Sequence, residues 1–306
     1  MEKFHFIDEE KKKIVCYKWK SNDNKVKGIV QIAHGMEERA VRYDYFAKRL
    51  NKAGYIVYAN DHRGHGATAG SKKNLGYIAD NDGFNWMVKD MKQLTDIIKD
   101  ENPNIPVILF GHSMGSFLSQ RYVELYGDNI DSLILSGTNG KPKAITKLGI
   151  LISKHEIRKH GRKHVSNIME KLAIGGYNKN FLPYRTTSEW LSSDEEEVDK
   201  YIADKYCGFV CTSSFYYDLI RGLWEMHEKN NLKRIPKSLP IYMVSGEKDP
   251  VGNQGKGVIS LYNTFKKIGL KNVSYRLYKD GRHEMLNETN KDEVIDHILK
   301  WINKEI

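Results

Sequence analysis

The chain has 306 residues, of which 40% are hydrophobic and 29% charged, a composition typical of a globular protein. No run approaches the roughly 18 apolar residues that a membrane-spanning helix requires, and residues 1–6 lack the basic start and apolar stretch of a secretory signal. The net charge is +10, but no nucleic-acid-binding motif accompanies it, so no nucleic-acid partner is expected. Three cysteines, an odd number, favour reduced thiols and a cytoplasmic location.

Strand and helix patterns alternate through most of the chain. Two short strands are expected at one edge of a sheet within residues 1–25. Further strand patterns lie near 28–33, 55–59, 106–111, 132–136, 240–245 and 273–278. Helical patterns lie near 40–53, 82–101, 114–126, 255–268 and 290–305. This alternation predicts an α/β fold with a mostly parallel central sheet and helices on both faces.

A charged segment, Asp61-His-Arg63-Gly64-His65-Gly66, directly follows the strand pattern at 55–59. Its carboxylate and imidazoles raise the alternative of a metal site. No cysteine–histidine or carboxylate–histidine set elsewhere completes such a site, so no metal is expected. We interpret the segment as a structural loop in which Asp61 and Arg63 find internal hydrogen-bonding partners.

The strongest chemical signal is Gly111-His112-Ser113-Met114-Gly115, where an apolar strand pattern ends and a helical pattern begins. This is the G-x-S-x-G motif in the strand–turn–helix context that exposes a nucleophilic serine. The turn is too tight for a large side chain two residues before or after the serine, which explains both glycines. A plain glycine-rich turn is the alternative, and we favour Ser113 as a nucleophile.

Between residues 140 and 236 the strand patterns stop and only helical patterns continue. Ser193-Asp-Glu-Glu196 is typical of a capping box that starts one helix, and Thr212 can cap another. We therefore predict an α/β core made of residues 1–139 and 237–306, interrupted by a helical insertion of residues 140–236.

A serine nucleophile needs a histidine base and an acid that orients it. Two strand patterns late in the chain are each followed by a candidate, Asp249 after the first and His283 after the second. The carboxyl ends of parallel strands meet at one edge of the sheet, so both side chains are expected beside Ser113. Asp280 and Glu284 are rival acids, but they lie too close to His283 in the sequence to belong to a separate loop.

Ester or amide chemistry also needs two backbone N–H groups that face the negative charge developing on the substrate carbonyl. One is expected from Met114, the residue after the nucleophile. The other is expected from His34-Gly35-Met36-Glu37-Glu38, the loop after the strand pattern at 28–33, with Met36 as the donor. A purely structural turn at His34-Gly35 is the alternative.

Together these motifs resemble the α/β-hydrolase superfamily, and within it the branch of monoacylglycerol lipases, lysophospholipases and serine aminopeptidase S33-type hydrolases. The resemblance extends over nearly the full length and is loosest in the middle segment. It is carried by His34–Glu38 with Arg42-Tyr43 behind it, Ala59–Gly66, Gly111–Gly115, Ser245–Gly252 and Gly281–Glu284. The early loop differs from monoacylglycerol lipases: it carries Met36-Glu37-Glu38 where they have a smaller residue and further glycine.

The resemblance implies a serine carboxylic-ester hydrolase that acts on monoacylglycerol-like lipid esters through an acyl-enzyme, with no cofactor. It implies a catalytic triad of Ser113, Asp249 and His283, with Met36 and Met114 in the oxyanion hole. Alternatives of the same fold are a lysophospholipase or another carboxylesterase. An alternative of a different class is a hydrolase-like receptor that binds a small molecule without turnover, against which the intact triad argues.

The resemblance further implies that the insertion is a lid over the site. Candidates for an acyl channel within it are Phe215, Tyr216, Leu219 and Trp224.

The first half of the insertion is strongly basic. Between Lys141 and Lys171 there are nine lysines or arginines and two glutamates. Four of the basic residues share one face of a helix: Lys143, Lys147, Lys154 and Arg158. Nearly opposite lies an apolar stripe: Ile145, Leu148 and Ile152. Such a helix either contacts an anionic membrane or micelle surface or buries its apolar stripe on the core, and the second arrangement is the commoner.

Overall fold

A computed structural model gives the structure of residues 1–21 and 25–306, a part of the chain that contains eight strands and ten α-helices. The strands are β1 (Glu2–Ile7), β2 (Lys13–Trp19), β3 (Gly28–Ala33), β4 (Tyr55–Asn60), β5 (Val107–His112), β6 (Ser132–Ser136), β7 (Ile241–Gly246) and β8 (Val273–Tyr278). The α-helices are α1 (Asp44–Lys52), α2 (Gly83–Glu101), α3 (Met114–Tyr126), α4 (Thr146–His160), α5 (Asn167–Ala173), α6 (Glu195–Ala203), α7 (Ser213–Glu225), α8 (Lys229–Leu232), α9 (Lys256–Lys267) and α10 (Lys291–Glu305). None of these helices is both long and apolar enough to cross a membrane.

All eight strands belong to one sheet, in the order β1-β2-β4-β3-β5-β6-β7-β8. β1 and β2 pair antiparallel, β2 pairs antiparallel with β4, and the remaining neighbours are parallel. The predicted α/β fold with a mostly parallel sheet is therefore confirmed. β5 lies in the middle, with Ala33 of β3 opposite Gly111 and Ser136 of β6 opposite His112, so three strand ends meet around residue 113.

The central strands are buried along their whole length because helices cover both faces of the sheet. β3, β4, β5, β6 and β7 contain no exposed residue. Successive side chains point to opposite faces of a strand, so Leu109 packs in the core under α2 and α3, and Ile108 packs in the core under α1 and α10. A rigid sheet buried in this way holds the loops at its carboxyl edge in fixed positions.

The helical insertion, residues 140–236, connects β6 to β7 and contributes α4 to α8. Thr212 caps α7 as predicted, since its hydroxyl accepts a hydrogen bond from the Phe215 N–H at 3.4 Å. The predicted cap at Ser193 is wrong by one residue. Asp194 caps α6 instead, because its carboxylate accepts from the N–H groups of Glu196 and Glu197.

The Asp61–Gly66 segment is a buried structural loop. The Asp61 carboxylate accepts from the Ala40 and Ala67 N–H groups at 2.9 and 2.7 Å and from a tyrosine hydroxyl, and Arg63 donates to Asp90 at 2.7 Å. Among residues 1–21 and 25–306, no group of three His, Cys, Asp or Glu side chains is placed to hold a metal ion. The internal partners predicted for Asp61 and Arg63 are therefore confirmed.

Candidate active site

Ser113 lies in a strained turn between β5 and α3. Its φ of 51° is in the left-handed region that non-glycine residues avoid. The turn has no room for side chains at Gly111 and Gly115: a Cβ would lie 2.4 Å from the Gly115 carbonyl oxygen at the first position and 2.0 Å from the Ala33 carbonyl oxygen at the second. This packing forces the serine hydroxyl out above the end of the sheet, beside the N-terminus of α3.

Asp249 and His283 meet although they follow different strands. His283 Nδ1 lies 3.0 Å from Asp249 Oδ1, and both side chains are almost fully buried. The Asp249 carboxylate also accepts from the Val251 N–H at 2.9 Å and from the Ser245 hydroxyl at 3.1 Å. A carboxylate only accepts hydrogen bonds, so Nδ1 carries the imidazole hydrogen and Nε2 is left as the basic atom.

The charge state of His283 depends on two opposing effects. Burial lowers the pKa of His283, but the Asp249 charge and its hydrogen bond outweigh burial and raise the pKa above the ordinary 6.5. The imidazole packs at a tilt against Trp190 of the insertion, with ring centroids 5.0 Å apart, and against His112 at 4.7 Å. His283 is therefore oriented by the core and by the insertion together.

The loop after β3 lies against the serine turn. A Cβ on Gly35 would come within 3.2 Å of the Ser113 Cβ, so the loop that contains Met36 lies beside the nucleophile. Met114 is the first residue of α3, and the first N–H groups of a helix have no partner within it. Both predicted oxyanion residues border the same cavity as Ser113.

A buried ion cluster, which the sequence did not reveal, connects two loops. These are residues 34–38 after β3, here called the oxyanion loop, and residues 279–284 after β8, here called the histidine loop. Arg42 donates to both carboxylate oxygens of Glu284 at 2.7 Å and to Glu38 at 2.8 Å. Glu38 in turn accepts from the Gly35 N–H at 2.5 Å. Burial raises the pKa of Glu284, but the Arg42 charge outweighs it and lowers the pKa to about 2. Glu38 and Arg42 belong to the motif used above, yet only the fold shows that they meet Glu284, the residue after the base.

A cavity of about 370 Å³ opens beside Ser113 and His283 under the helical insertion. Most of its wall is hydrocarbon from α4, α5 and α7, listed here: Ile145, Leu148, Ile152, Met169, Leu172, Leu219, Ile220 and Leu223. Glu37 also borders it, and burial together with the charge of Glu170 raises the pKa of Glu37 well above its ordinary value. Both effects favour the neutral form of the Glu37 carboxyl.

Two of the four predicted channel residues line this cavity and two do not. Tyr216 and Leu219 face it. Phe215 is fully buried in the core next to the ring of His65, and Trp224 faces a separate groove, where its indole N–H donates to the Thr146 hydroxyl at 3.0 Å. The reason is helical geometry: at about 100° per residue, Phe215 and Trp224 each lie about 90° from the centre of the α7 face that lines the cavity.

The predicted apolar stripe of Ile145, Leu148 and Ile152 lines the cavity, and of these three the half-buried Ile152 also packs against the core. Ile145 and Leu148 are 70% and 50% exposed, whereas the residues that α4 buries fully are Ser153 and Glu156. Lys143 precedes α4, Lys147, Lys154 and Arg158 belong to it, and all four side chains are exposed. The helix thus borders the cavity on one side and solvent on the other.

Comparison with known proteins agrees with this geometry. A family model described as serine aminopeptidase, S33, matches residues 24–290. The chain is 27% identical to a monoacylglycerol lipase from Mycolicibacterium smegmatis over 283 residues, 92% of this chain and 89% of that protein. It is 23% identical to the Homo sapiens monoglyceride lipase over 306 residues, 98% of this chain and 90% of that protein.

Among solved structures, a thermostable carboxyl esterase from Bacillus coagulans, crystallised with glycerol, superposes with a TM-score of 0.91 at 29% identity, covering 99% of this chain and 98% of the other. A monoglyceride lipase from Saccharomyces cerevisiae superposes with a TM-score of 0.75 at 19% identity over 96% and 92% of the two chains, which supports the fold alone. The match to the family model spans most of the sequence. This chain therefore belongs to the S33 serine aminopeptidase family, in the monoacylglycerol lipase-like branch of the α/β-hydrolases.

Proposed function

We propose that this protein is a serine carboxylic-ester hydrolase that acts on monoacylglycerol-like lipid esters. The observation that carries the proposal is a largely hydrocarbon-lined cavity bordered by Ser113 and by His283, whose Nδ1 contacts the buried Asp249. Related proteins named as monoacylglycerol lipases and carboxyl esterases support the same reaction class.

In the proposed mechanism, Ser113 attacks the ester carbonyl while His283 Nε2 takes the hydroxyl proton. Asp249 holds the imidazole by Nδ1 and stabilises its charged form. The tetrahedral intermediate collapses as His283 returns the proton to the leaving alcohol, which frees a glycerol-like product and leaves an acyl-enzyme. Water, deprotonated by His283, then attacks the acyl-enzyme and releases the fatty acid and the free serine.

The N–H groups of Met36 and Met114 are proposed to hold the oxyanion in both tetrahedral intermediates. Removing one such donor costs about 10²–10³ in kcat in other serine hydrolases. The side chains of the two methionines add only hydrocarbon to the cavity wall, so the backbone supplies the catalytic contribution.

The helical insertion is proposed to act as a lid over residues 1–139 and 237–306. Its exposed apolar side chains include Ile145, Leu148, Leu151, Ile168 and Leu172, of which Ile145, Leu148 and Leu172 line the cavity. Lys143, Lys147, Lys154 and Arg158 are exposed in the same insertion. Exposed apolar and basic residues in one segment suit peripheral contact with an anionic membrane or micelle, from which a long-chain ester would enter the cavity.

The test is a fluorophosphonate labelling experiment combined with substrate profiling. The wild type should label and should hydrolyse monoacylglycerols and p-nitrophenyl esters of graded length, and Ser113→Ala should lose labelling and nearly all activity, by about 10⁶. Preference for lysophospholipids over monoacylglycerols would move the assignment to a lysophospholipase. Binding of an ester without labelling or turnover would indicate a receptor and contradict the proposal, as would more than a few per cent of activity in the alanine variant.

A further inference from the structure

The direction of the Met36 N–H is set by the carbonyl group on the other side of the same peptide bond. Gly35 and Met36 are joined by a trans peptide, in which the C=O and N–H groups point in opposite directions. His34 Nδ1 lies 2.7 Å from the Gly35 oxygen. A carbonyl oxygen only accepts, so Nδ1 carries the hydrogen and holds the carbonyl. The contact that fixes this carbonyl therefore also aims the Met36 N–H.

The peptide bond on the other side of Met36 is held by a second imidazole. The Glu37 N–H donates to His65 Nε2 at 3.2 Å, and His65 Nδ1 lies 2.9 Å from the Arg63 carbonyl oxygen. By the same reasoning His65 carries its hydrogen on Nδ1 and uses Nε2 as an acceptor. Glu37 itself has a φ of 57°, a strained conformation for a side-chain-bearing residue that needs external contacts to persist.

The two imidazoles belong to one buried group that joins the oxyanion loop to the Asp61–Gly66 loop. His34 Nε2 accepts from the His62 N–H at 2.9 Å, and the His34 ring lies 4.3 Å from the His62 ring and 5.2 Å from the His65 ring. All three are fully buried. Burial lowers the pKa of His34 and lowers that of His65 to about 3, which favours the neutral imidazoles that keep an acceptor nitrogen.

We propose that His34 and His65 are positioning residues for the oxyanion hole: they clamp the peptide bonds before and after Met36 and so aim its N–H at the substrate oxyanion. Neither imidazole touches substrate. This inference rests on the proposed function, since it assigns the two residues an effect on the transition state of that reaction. It also gives the Asp61–Gly66 loop a part in catalysis beyond folding.

Two substitutions of His65 separate positioning from space filling. His65→Gln places a carboxamide oxygen near the position of Nε2 and should keep kcat within a few-fold. His65→Asn reaches only the position of Nδ1, so the Glu37 N–H loses its acceptor. Because the variant misdirects one donor and does not remove it, we expect kcat to fall about 10- to 100-fold with little change in KM, less than the loss of a donor outright.

Two inhibitors distinguish a misdirected oxyanion hole from a general structural defect, because a general defect would weaken the binding of both. A long-chain trifluoromethyl ketone adds to the serine and creates an oxyanion, whereas the corresponding secondary alcohol occupies the cavity without doing so. The inhibition constant of the ketone should rise in His65→Asn by about the same factor as kcat falls, and that of the alcohol should not change. His227→Asn is the matched control, because His227 is also buried and bonds a backbone carbonyl through Nδ1 but lies outside the cavity.

Equal losses in the Gln and Asn variants, or a lower melting temperature in His65→Asn with unchanged ketone inhibition, would overturn the proposal. Side-chain ¹⁵N NMR of the wild type at about pH 8 tests the geometry without any activity: His34 and His65 should show protonated Nδ1 and unprotonated Nε2. The opposite tautomer would refute the clamp even in an active enzyme. An inactive wild type with the expected tautomers would instead refute the proposed function, and the catalytic role of the clamp with it.

Discussion

The hydrogen bond between His283 and Asp249 decides at which pH the base works. The base must be neutral to accept the serine proton, so activity rises as pH increases through its pKa. Because Asp249 raises that pKa above 6.5, kcat/KM of the wild type should rise through a single transition on the alkaline side of 6.5.

Asp249→Asn should lower kcat by roughly 10⁴, because the amide no longer selects the tautomer with hydrogen on Nδ1. It also removes the charge that raises the pKa of His283 while burial still lowers it, so the residual activity should rise at a lower pH than in the wild type. A pH–rate profile of kcat/KM for both proteins measures the two effects.

Asp280→Asn is the control for this prediction. Asp280 is mostly exposed and pairs with Lys248 at 2.7 Å, away from the buried histidine. The control should stay within about twofold of the wild type, as surface substitutions away from special features usually do. A crippled Asp280→Asn together with a mild Asp249→Asn would show that the acid has been assigned to the wrong residue.

Single residues of the site were predictable where a local pattern identifies them. Ser113 stands in a turn that only two glycines allow, and Asp249 and His283 each follow a strand. Glu284 was considered only as a rival acid, because its link to Arg42 joins residues 242 positions apart and leaves no local pattern. The same holds for the contact between His65 and the oxyanion loop.

At the level of elements, the positions of the helices in the sequence were easier to predict than which face of each helix lines the cavity. The α7 positions that line the cavity are spaced by three and four: Tyr216, Leu219, Ile220 and Leu223. Phe215 and Trp224 are as apolar as these residues but point elsewhere. Composition could not reveal which apolar stripe faces a cavity, because that depends on how α4 and α7 pack together.

Replacing Lys143, Lys147, Lys154 and Arg158 with Gln should weaken binding to phosphatidylglycerol vesicles. Each basic side chain near an anionic surface contributes about 1 kcal/mol, screened by salt. Turnover of a long-chain monoacylglycerol on these vesicles should slow, more at low salt than at high salt, and hydrolysis of a soluble short-chain ester should hardly change. Vesicle sedimentation at two salt concentrations and parallel rate assays measure this.

The matched control removes four exposed charges from helices of the core. Lys52, Lys266, Lys267 and Lys304 are exposed on α1, α9 and α10, and their Gln variant loses the same net charge. Equal loss of vesicle binding in both variants would indicate a general charge effect. If the wild type stays in the supernatant at low salt, the basic face of α4 is ordinary solvated surface.

For the molecule as a whole, hydropathy patterns were sufficient to predict a mostly parallel sheet because fully buried strands alternate with amphipathic helices. Strand order was not predictable, since β4 pairs with β2 and β3 through contacts between distant parts of the chain. The insertion could be recognised because only helical patterns separate β6 from β7.

The ion cluster around Arg42 should make the free energy of unfolding depend on pH. The pKa of Glu284 is about 2 in the folded protein, against an ordinary 4.5. The ionised Glu284 carboxylate therefore stabilises the fold fully above pH 4.5, and this stabilisation is lost as pH falls toward 2. Arg42→Met should lower the free energy of unfolding at neutral pH by about 3–5 kcal/mol, because it leaves buried carboxylates without a cation. In this variant the free energy of unfolding should no longer decline between pH 4.5 and 2 through Glu284. Urea unfolding at several pH values measures this.

Lys48→Met removes an ion pair of similar length, to Asp44 at 2.6 Å, whose side chains are 66% and 39% exposed. It should change stability by less than about 1 kcal/mol. Similar urea midpoints for the two variants would mean that burial of the Arg42 cluster does not strengthen it.

The 242-residue separation between Arg42 and Glu284 also determines when the enzyme becomes active during folding. Contacts between distant parts of a chain form slowly, because closing a long loop costs conformational entropy before the contact stabilises the chain. Helices and the central strands of a refolding chain should therefore appear before the oxyanion loop is joined to the histidine loop. The onset of labelling by a fluorophosphonate then marks the completion of folding, and an incompletely folded chain, although largely helical, has no means to hydrolyse the lipids around it.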